Sequence, residues 1–176
     1  MAHQDETDTT LAERQARRAQ LAPGHAAGVT EAMVHDVVHA FYGRIRTDAV
    51  LGPIFEGVIR DNWDHHLAKM CDFWSSVLLM TGRYDGRPMP AHIRIDVGQG
   101  AGLSDAHFAH WLELFRATVR ERCPPAAAAL FEDRAQKIAA SLLQGVQFSR
   151  GELPDWLGPV KSEPVKSEPV KSGPAQ

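Results

Sequence analysis

The sequence predicts an all-α protein. Apolar residues recur at intervals of three and four through most of residues 28–151, which is the period of amphipathic helices. No run of alternating apolar and polar residues is long enough for a strand. A chain of 176 residues with 44% hydrophobic content also supplies enough apolar surface for one core. We therefore expect one helical domain with extensions at its two ends.

The first strong helix is predicted to begin after Thr30, whose hydroxyl can cap its N-terminus. Its continuous apolar face consists of Val34, Val37, Val38, Phe41, Tyr42 and Ile45. A short turn-rich stretch is expected over residues 51–55, because glycine and proline adjoin there. The next helix is predicted from about Asp61 to Met80, with its stop at Thr81–Gly82, since glycine favours a helix end. Its apolar side consists of Trp63, Leu67, Met70, Trp74, Val77 and Leu78.

Glycine and proline are frequent in residues 83–103, and no apolar period is sustained there. We expect mostly loop, with about one helical turn over Pro90–Ile93, because proline is favoured at a helix start. Regular structure is predicted to return at Ser104–Asp105, a good N-terminal cap. The third apolar stripe consists of Phe108, Trp111, Leu112, Phe115 and Val119. A fourth helix is predicted from Pro125 to Gly151.

The sequence divides into three parts. Residues 1–27 are predicted to be a loosely ordered N-terminal extension, in which residues 10–21 could form a short charged helix before Pro23 and Gly24. Residues 28–151 form the predicted domain. Residues 152–176 contain PVKSE repeats with no aromatic side chain after Trp156. We expect this part to be a disordered tail, because it cannot bury enough apolar surface to offset its ordering entropy.

Charge and composition exclude several classes of partner. A net charge of -3 gives no field that would attract nucleic acid or an anionic membrane. No apolar run is long enough to span a membrane, and residues 1–20 are polar, unlike a signal peptide. We therefore expect a cytoplasmic protein. Cys71 and Cys123 lie far apart in unrelated motifs and are expected to be reduced thiols.

Three polar side chains need an explanation, because they lie on apolar helical faces. They are Tyr42, His66 and Trp111. Taken singly, a tyrosine or tryptophan is usually a core residue with its polar tip bonded, and a histidine near a helix start is usually solvated. By the same reasoning, His92 in its proline- and glycine-rich stretch is a surface histidine. Composition and period alone predict only a helical bundle with a polar interior.

An ordered string of motifs runs from about Glu31 to Val146. Its pieces are Phe41–Tyr42 with Arg44–Arg46, Leu51–Phe55, Trp63 with His66, Lys69 and Met70, Asp72–Leu79, Thr81–Met89 with His92, Phe108–Phe115 around Trp111, and Arg134–Ala135 with Ile138–Ala139. The string resembles the group III truncated haemoglobins. The resemblance implies a truncated globin fold, a two-over-two helical sandwich around haem b.

The resemblance also assigns residues to the two sides of the haem. His92 matches the proximal histidine and would bind the iron, and we expect its other ring nitrogen to donate to a backbone carbonyl. Tyr42 and Trp111 match distal hydrogen-bond donors, and His66 matches a distal histidine that can act as a gate. The residues matched to the porphyrin wall are Phe41, Phe55, Met70, Phe73 and Trp74. Lys69 and Arg94 are candidate partners for the haem propionates.

The function implied by the resemblance is the binding of oxygen or another diatomic gas, such as nitric oxide or carbon monoxide. Redox use of that gas, by nitric oxide dioxygenation or peroxide turnover, would require an unknown reductase. An alternative is a haem-based sensor or interaction protein that acts through its tails, and a bundle that has lost haem is a third possibility. The family usually has a short link after the proximal histidine, whereas residues 93–102 form a longer, glycine-rich link.

Overall fold

The computed structural model describes residue 13, residues 20–98 and residues 102–152. Within these residues every regular element is a helix, so the all-α prediction is confirmed. The helices are α1 Pro23–Ala26, α2 Glu31–Thr47, α3 Leu51–Ile59, α4 Trp63–Leu79, α5 Pro88–Gly98, α6 Asp105–Arg122 and α7 Pro125–Ser149. The PVKSE repeats and most of the predicted charged helix of residues 10–21 lie outside the described residues.

The four long helices form where the sequence predicts them. Thr30 caps α2, accepting a hydrogen bond on Oγ1 from the Met33 amide at 3.2 Å. Ser104 and His107 form a reciprocal capping box at the start of α6. α4 ends at Leu79, and the next residue, Met80, adopts a left-handed backbone with φ of 56°, so the chain turns two residues before Gly82.

Residues 51–59 form a helix, which corrects the prediction of a turn-rich stretch. Asp48 Oδ1 accepts hydrogen bonds from the amides of Val50 and Leu51, at 2.9 and 2.8 Å, and so caps α3. Pro53 lies in the first turn, where a missing N–H costs no hydrogen bond. Glycine suits position 52, because a β-carbon there would lie only 3.1 Å from the Ile45 carbonyl oxygen, closer than an ordinary contact. The glycine and proline therefore permit this helix and its close approach to α2.

The helix α5 is longer than predicted. The sequence suggests one turn at Pro90–Ile93, whereas the helix covers 11 residues, Pro88–Gly98. Both prolines lie in its first turn, where proline is tolerated. The residues after Ile93 lack an apolar period, so this part of α5 depends on contacts with α7 that local sequence does not reveal.

The helices pack in two layers around an aromatic core. α2 contacts α3, α4 and α6, and α7 contacts both α6 and α5. Phe115 of α6 lies near the centre, stacked on Trp74 of α4 at 4.8 Å between ring centroids. Phe41 of α2 meets Phe115 edge to face at 5.0 Å, and Phe131 of α7 lies 5.5 Å from Trp74. The core therefore joins both layers.

The start of the described chain packs against this core. Ala22 is 2% exposed, and Gly24 of α1 lies against the C-terminal end of α4. Ala22 and Gly24 therefore pack against the helical core. Among the described residues, no helix combines the length and apolar character needed to cross a membrane. Cys71 and Cys123 are free thiols, as predicted.

A glycine pair tests the contact between α1 and α4. A β-carbon at Gly24 would lie 2.6 Å from the Leu78 carbonyl oxygen, so Gly24→Ala is expected to lower the free energy of unfolding by about 1–3 kcal/mol. Gly43→Ala is the matched control, because nothing lies within 4 Å of the added atom. It is expected to be neutral or to stabilise α2 by about 0.5–1 kcal/mol. Urea unfolding measures both. Equal effects of the two substitutions would contradict the packing of α1.

Candidate functional site

Tyr42 lies in a cage of aromatic side chains. It is only 6% exposed, and its ring meets those of Phe55 at 6.0 Å and Trp63 at 6.2 Å. His66 is nearer, with a centroid distance of 5.0 Å and nearly perpendicular rings. Three helices, α2, α3 and α4, supply these side chains. The structure therefore brings two of the predicted distal residues, Tyr42 and His66, into contact.

His66 carries an unpartnered polar atom in this cage. Its Nε2 is buried and has no hydrogen-bond partner among the described residues, and the same holds for Trp63 Nε1. Burial, with smaller effects from Lys69 and His65, lowers the pKa of His66 to about 4. The imidazole is therefore neutral at neutral pH. Because an unpaired buried polar atom costs roughly 1–3 kcal/mol, two in one cage fit a site for a ligand with polar atoms.

The Tyr42 hydroxyl is a neutral donor. Burial raises the pKa of Tyr42 above its usual value of 10.0, so the phenol keeps its proton. The hydroxyl makes no hydrogen bond to another described residue. Its proton is thus free to be donated to a molecule that enters the cage.

His92 lies on α5 with one ring nitrogen engaged. Its Nδ1 is 2.8 Å from the carbonyl oxygen of Pro88, one turn earlier. A carbonyl only accepts hydrogen bonds, so Nδ1 donates and carries the proton of the neutral ring. Nε2 then has its lone pair available, which is the form of imidazole that binds a metal. The bond to a backbone carbonyl is the one that we expected from the sequence.

Helix α6 connects His92 with the Tyr42 cage. Phe108 lies 6.4 Å from the His92 ring, and Trp111, three residues later on the same face, meets Phe41 edge to face at 5.2 Å. Phe41 in turn contacts Tyr42 at 5.2 Å. A stripe on α6 therefore joins the proximal and distal residues predicted from the sequence.

The remaining predicted site residues lie at the edge of this region or in the core. Lys69 places its Nζ 5.9 Å from the centre of the Tyr84 ring, and Phe73 meets Tyr84 at 5.0 Å. Met70 and Phe55 are half-buried, and Arg94 is exposed on α5. Trp74 instead packs in the core between Phe115 and Phe131.

Three neighbours of the site were not among the predicted site residues. Trp63 lies 6.0 Å from His66, Phe108 faces His92, and Tyr84 contacts Lys69 and Phe73. Trp63 and Phe108 belong to the periodic apolar faces, so they read as ordinary core residues. Tyr84 follows α4 in a segment without period. Only their position beside the polar site residues distinguishes these three side chains from other core and loop residues.

The low pKa of His66 predicts a specific pH dependence. The folded chain titrates His66 at about 4 and the unfolded chain near 6.5, so the unfolded chain binds the extra proton as pH falls between these values. Stability of the haem-free protein is therefore expected to fall over this window by about 1–2 kcal/mol, since His66 is only partly buried. Urea unfolding at about pH 7 and about pH 4.5 measures the loss.

The matched variants isolate this contribution. His66→Gln is expected to remove that part of the acid sensitivity, whereas His65→Gln, at the exposed neighbouring position, is expected to retain it. An unchanged acid sensitivity in His66→Gln would show that the imidazole is not held neutral in the cage.

The chain is similar to known proteins in sequence and in fold. The chain is 29% identical over 115 residues to a group 3 truncated hemoglobin of Campylobacter jejuni, covering 64% of this chain and 87% of that relative. It superposes on the crystal structure of a group III truncated hemoglobin from Campylobacter jejuni with a TM-score of 0.60 and 28% identity, covering 65% of this chain and 89% of the other. No family model matches the chain.

The helical fold and the sequence similarity together define a globin of the truncated, two-over-two class. In sequence and in fold, the chain is similar to the group III truncated haemoglobins. This similarity implies a haem cofactor and the binding of a diatomic ligand.

Proposed function

We propose that this chain binds haem b through His92 Nε2, presents Tyr42 and Trp111 to a diatomic gas, and uses that gas in redox chemistry. The observation that carries the proposal is the Nδ1 bond from His92 to the Pro88 carbonyl, which leaves Nε2 available for iron. When bound, haem iron supplies an open coordination position for a gas and an electron for its conversion. The unpartnered polar atoms of Trp63 and His66 beside Tyr42 fit such a gas ligand.

The distal residues favour holding a gas over releasing it quickly. The Tyr42 phenol stays protonated and has no other described partner, so it can donate to an electron-rich ligand. Trp111 carries a second donor on the adjoining face of α6. His66 is neutral and lies at 5.0 Å from Tyr42, where it can orient the phenol or open toward solvent. Lys69 and Arg94 are proposed partners of the haem propionates, since both are cationic and not buried.

Nitric oxide dioxygenation is one such reaction, and it requires a reductase to restore the ferrous state. The test mixes oxygen-loaded ferrous protein with nitric oxide and measures nitrate. We expect about one nitrate per haem, because one oxygen and one nitric oxide supply all its atoms. Peroxide turnover is measured separately with a phenolic reductant. Absence of both products would overturn the redox part of the proposal. The sensor alternative rests on residues 159–176, outside the described part, and stays a prediction.

A further inference from the structure

Helix α5 rests on α7 at two separate points. Near its start, Met89 packs so closely on Gly145 of α7 that a β-carbon there would overlap the methionine sulfur. Near its end, Asp96 forms a two-pronged ion pair with Arg150, which immediately follows α7. The two contacts run in the same direction along both helices, so α5 is fixed along most of its length.

Asp96 also holds Leu103, which lies just before helix α6. Asp96 Oδ1 accepts a hydrogen bond from the Leu103 amide at 2.6 Å, and Oδ2 accepts one from Arg150 Nε at 2.9 Å. Arg150 donates in addition to the Leu103 carbonyl at 2.7 Å. We call these three residues, Asp96, Leu103 and Arg150, the proximal clamp. It joins Asp96 near the end of α5 to Leu103 and to Arg150, which follows α7.

The clamp is built from a buried charge. The side chain of Asp96 is 4% exposed, and the Arg150 guanidinium holds the pKa of this carboxyl below its usual range. A buried carboxylate needs such a partner to remain ionised. Gly102 fits beside it because its φ is +72° and a β-carbon there would lie 2.9 Å from Asp96 Oδ1. The glycine before Leu103 thus permits the clamp to close.

His92 lies between the two anchored points. It follows Met89 by three residues and precedes Asp96 by four, so all three share one face of α5. The hydrogen bonds of Asp96 go to Leu103 and Arg150, whereas the imidazole is held by its own bond to Pro88. A rotation or fraying of α5 would nevertheless carry both His92 and Pro88 with it.

We propose that Asp96 and Arg150 are positioning residues that fix α5, and therefore the direction of the His92 Nε2 lone pair; this role rests on the proposed function of His92 as the haem ligand. Gly98 at the end of α5 and Gly102 before Leu103 do not stiffen the backbone, because glycine is conformationally permissive. Instead, the planar, bidentate ion pair between Arg150 and Asp96 restrains the end of α5. It acts on the ligand through the helix, not by contact.

The first arm of the test uses the haem-free protein. Arg150→Gln is expected to raise hydrogen exchange of the α5 amides about tenfold more than exchange in α2, because opening becomes local to α5. The matched control is Arg120→Gln, which breaks a similarly bidentate pair with Glu132 between α6 and α7. The control is expected to leave α5 exchange unchanged. Equal acceleration of α2 and α5 in Arg150→Gln would overturn the clamp as a local device.

The second arm reads the ligand itself, by resonance Raman spectroscopy of the ferrous haem-loaded protein. The iron–histidine stretching band is expected to broaden or shift in Arg150→Gln and to stay as in wild type in Arg120→Gln. An unchanged band in Arg150→Gln would overturn the positioning role. If Arg150→Gln does not fold, Arg150→Lys, which keeps the charge and loses the fork, replaces it in both arms. A wild type that binds no haem would instead overturn the proposed function, while the exchange arm still decides the clamp.

Discussion

Replacement of His92 by alanine is expected to weaken haem binding by at least about a hundredfold. Loss of an outer partner of a metal ligand typically costs about 10- to 100-fold in affinity, and loss of the ligand itself costs at least the upper end. The structure offers no second imidazole on α5, and His66, on α4, packs against Tyr42 instead. The measurement is titration of haem-free protein with ferric haem, followed by the Soret band.

His65→Ala is the matched control for this titration. His65 is exposed on α4, so its removal deletes a histidine without touching the cage. Its titration is expected to match wild type. A His92→Ala protein with wild-type affinity and spectrum would mean that another residue binds the iron.

Replacement of Tyr42 by phenylalanine is expected to speed oxygen release from the haem-loaded protein by about 10- to 100-fold. A hydrogen bond to a charged acceptor contributes roughly 1.5–3 kcal/mol, and every 1.4 kcal/mol corresponds to about tenfold. The substitution leaves the ring and its contacts with Phe55 and His66 in place. It breaks no hydrogen bond to a described residue, so the fold should be retained. Stopped-flow dissociation measures the rate.

Companion variants separate the two donors. Trp111→Phe is expected to have a smaller effect, about fivefold, for a bond of about 1 kcal/mol, and the double variant shows whether the donors act together. Tyr84→Phe is a comparison variant, because Tyr84 contacts Lys69 and Phe73 and is not one of the two proposed donors. If neither Tyr42→Phe nor Trp111→Phe speeds release, the account of two distal donors is wrong.

The helices that the sequence predicts best are those whose packing face is continuous. The six apolar positions from Val34 to Ile45 are all buried, and the Thr30 cap forms as predicted. The sequence predicts a turn-rich stretch in place of α3 and a single helical turn in place of α5, because their prolines and glycines suggest turns. Pro53 and Pro88 lie in first turns, where proline is compatible with a helix, and Gly52 permits close packing on α2. Helix propensities count proline and glycine against a helix, whereas contacts with neighbouring helices stabilise α3 and α5.

The site was predictable only where a family pattern linked distant residues. Nothing local distinguishes His92 from the other histidines, and the Pro88 contact that prepares its ring is visible only in three dimensions. Arg150 is harder still, because its partner Asp96 is 54 residues away and each alone resembles a solvated surface charge. Asp96 is nevertheless buried. A buried charge whose partner is remote in sequence produces no periodic pattern of residues that would reveal the pair.

The most direct test of His92 as the iron ligand is chemical complementation. The His92→Gly protein removes the imidazole and leaves space beside Phe108, and free imidazole is then added to the haem-loaded variant. We predict that the variant alone lacks the wild-type spectrum and that imidazole restores it, because a free ring can occupy the vacated position. A His92→Gly spectrum identical to wild type before imidazole is added would contradict the assignment.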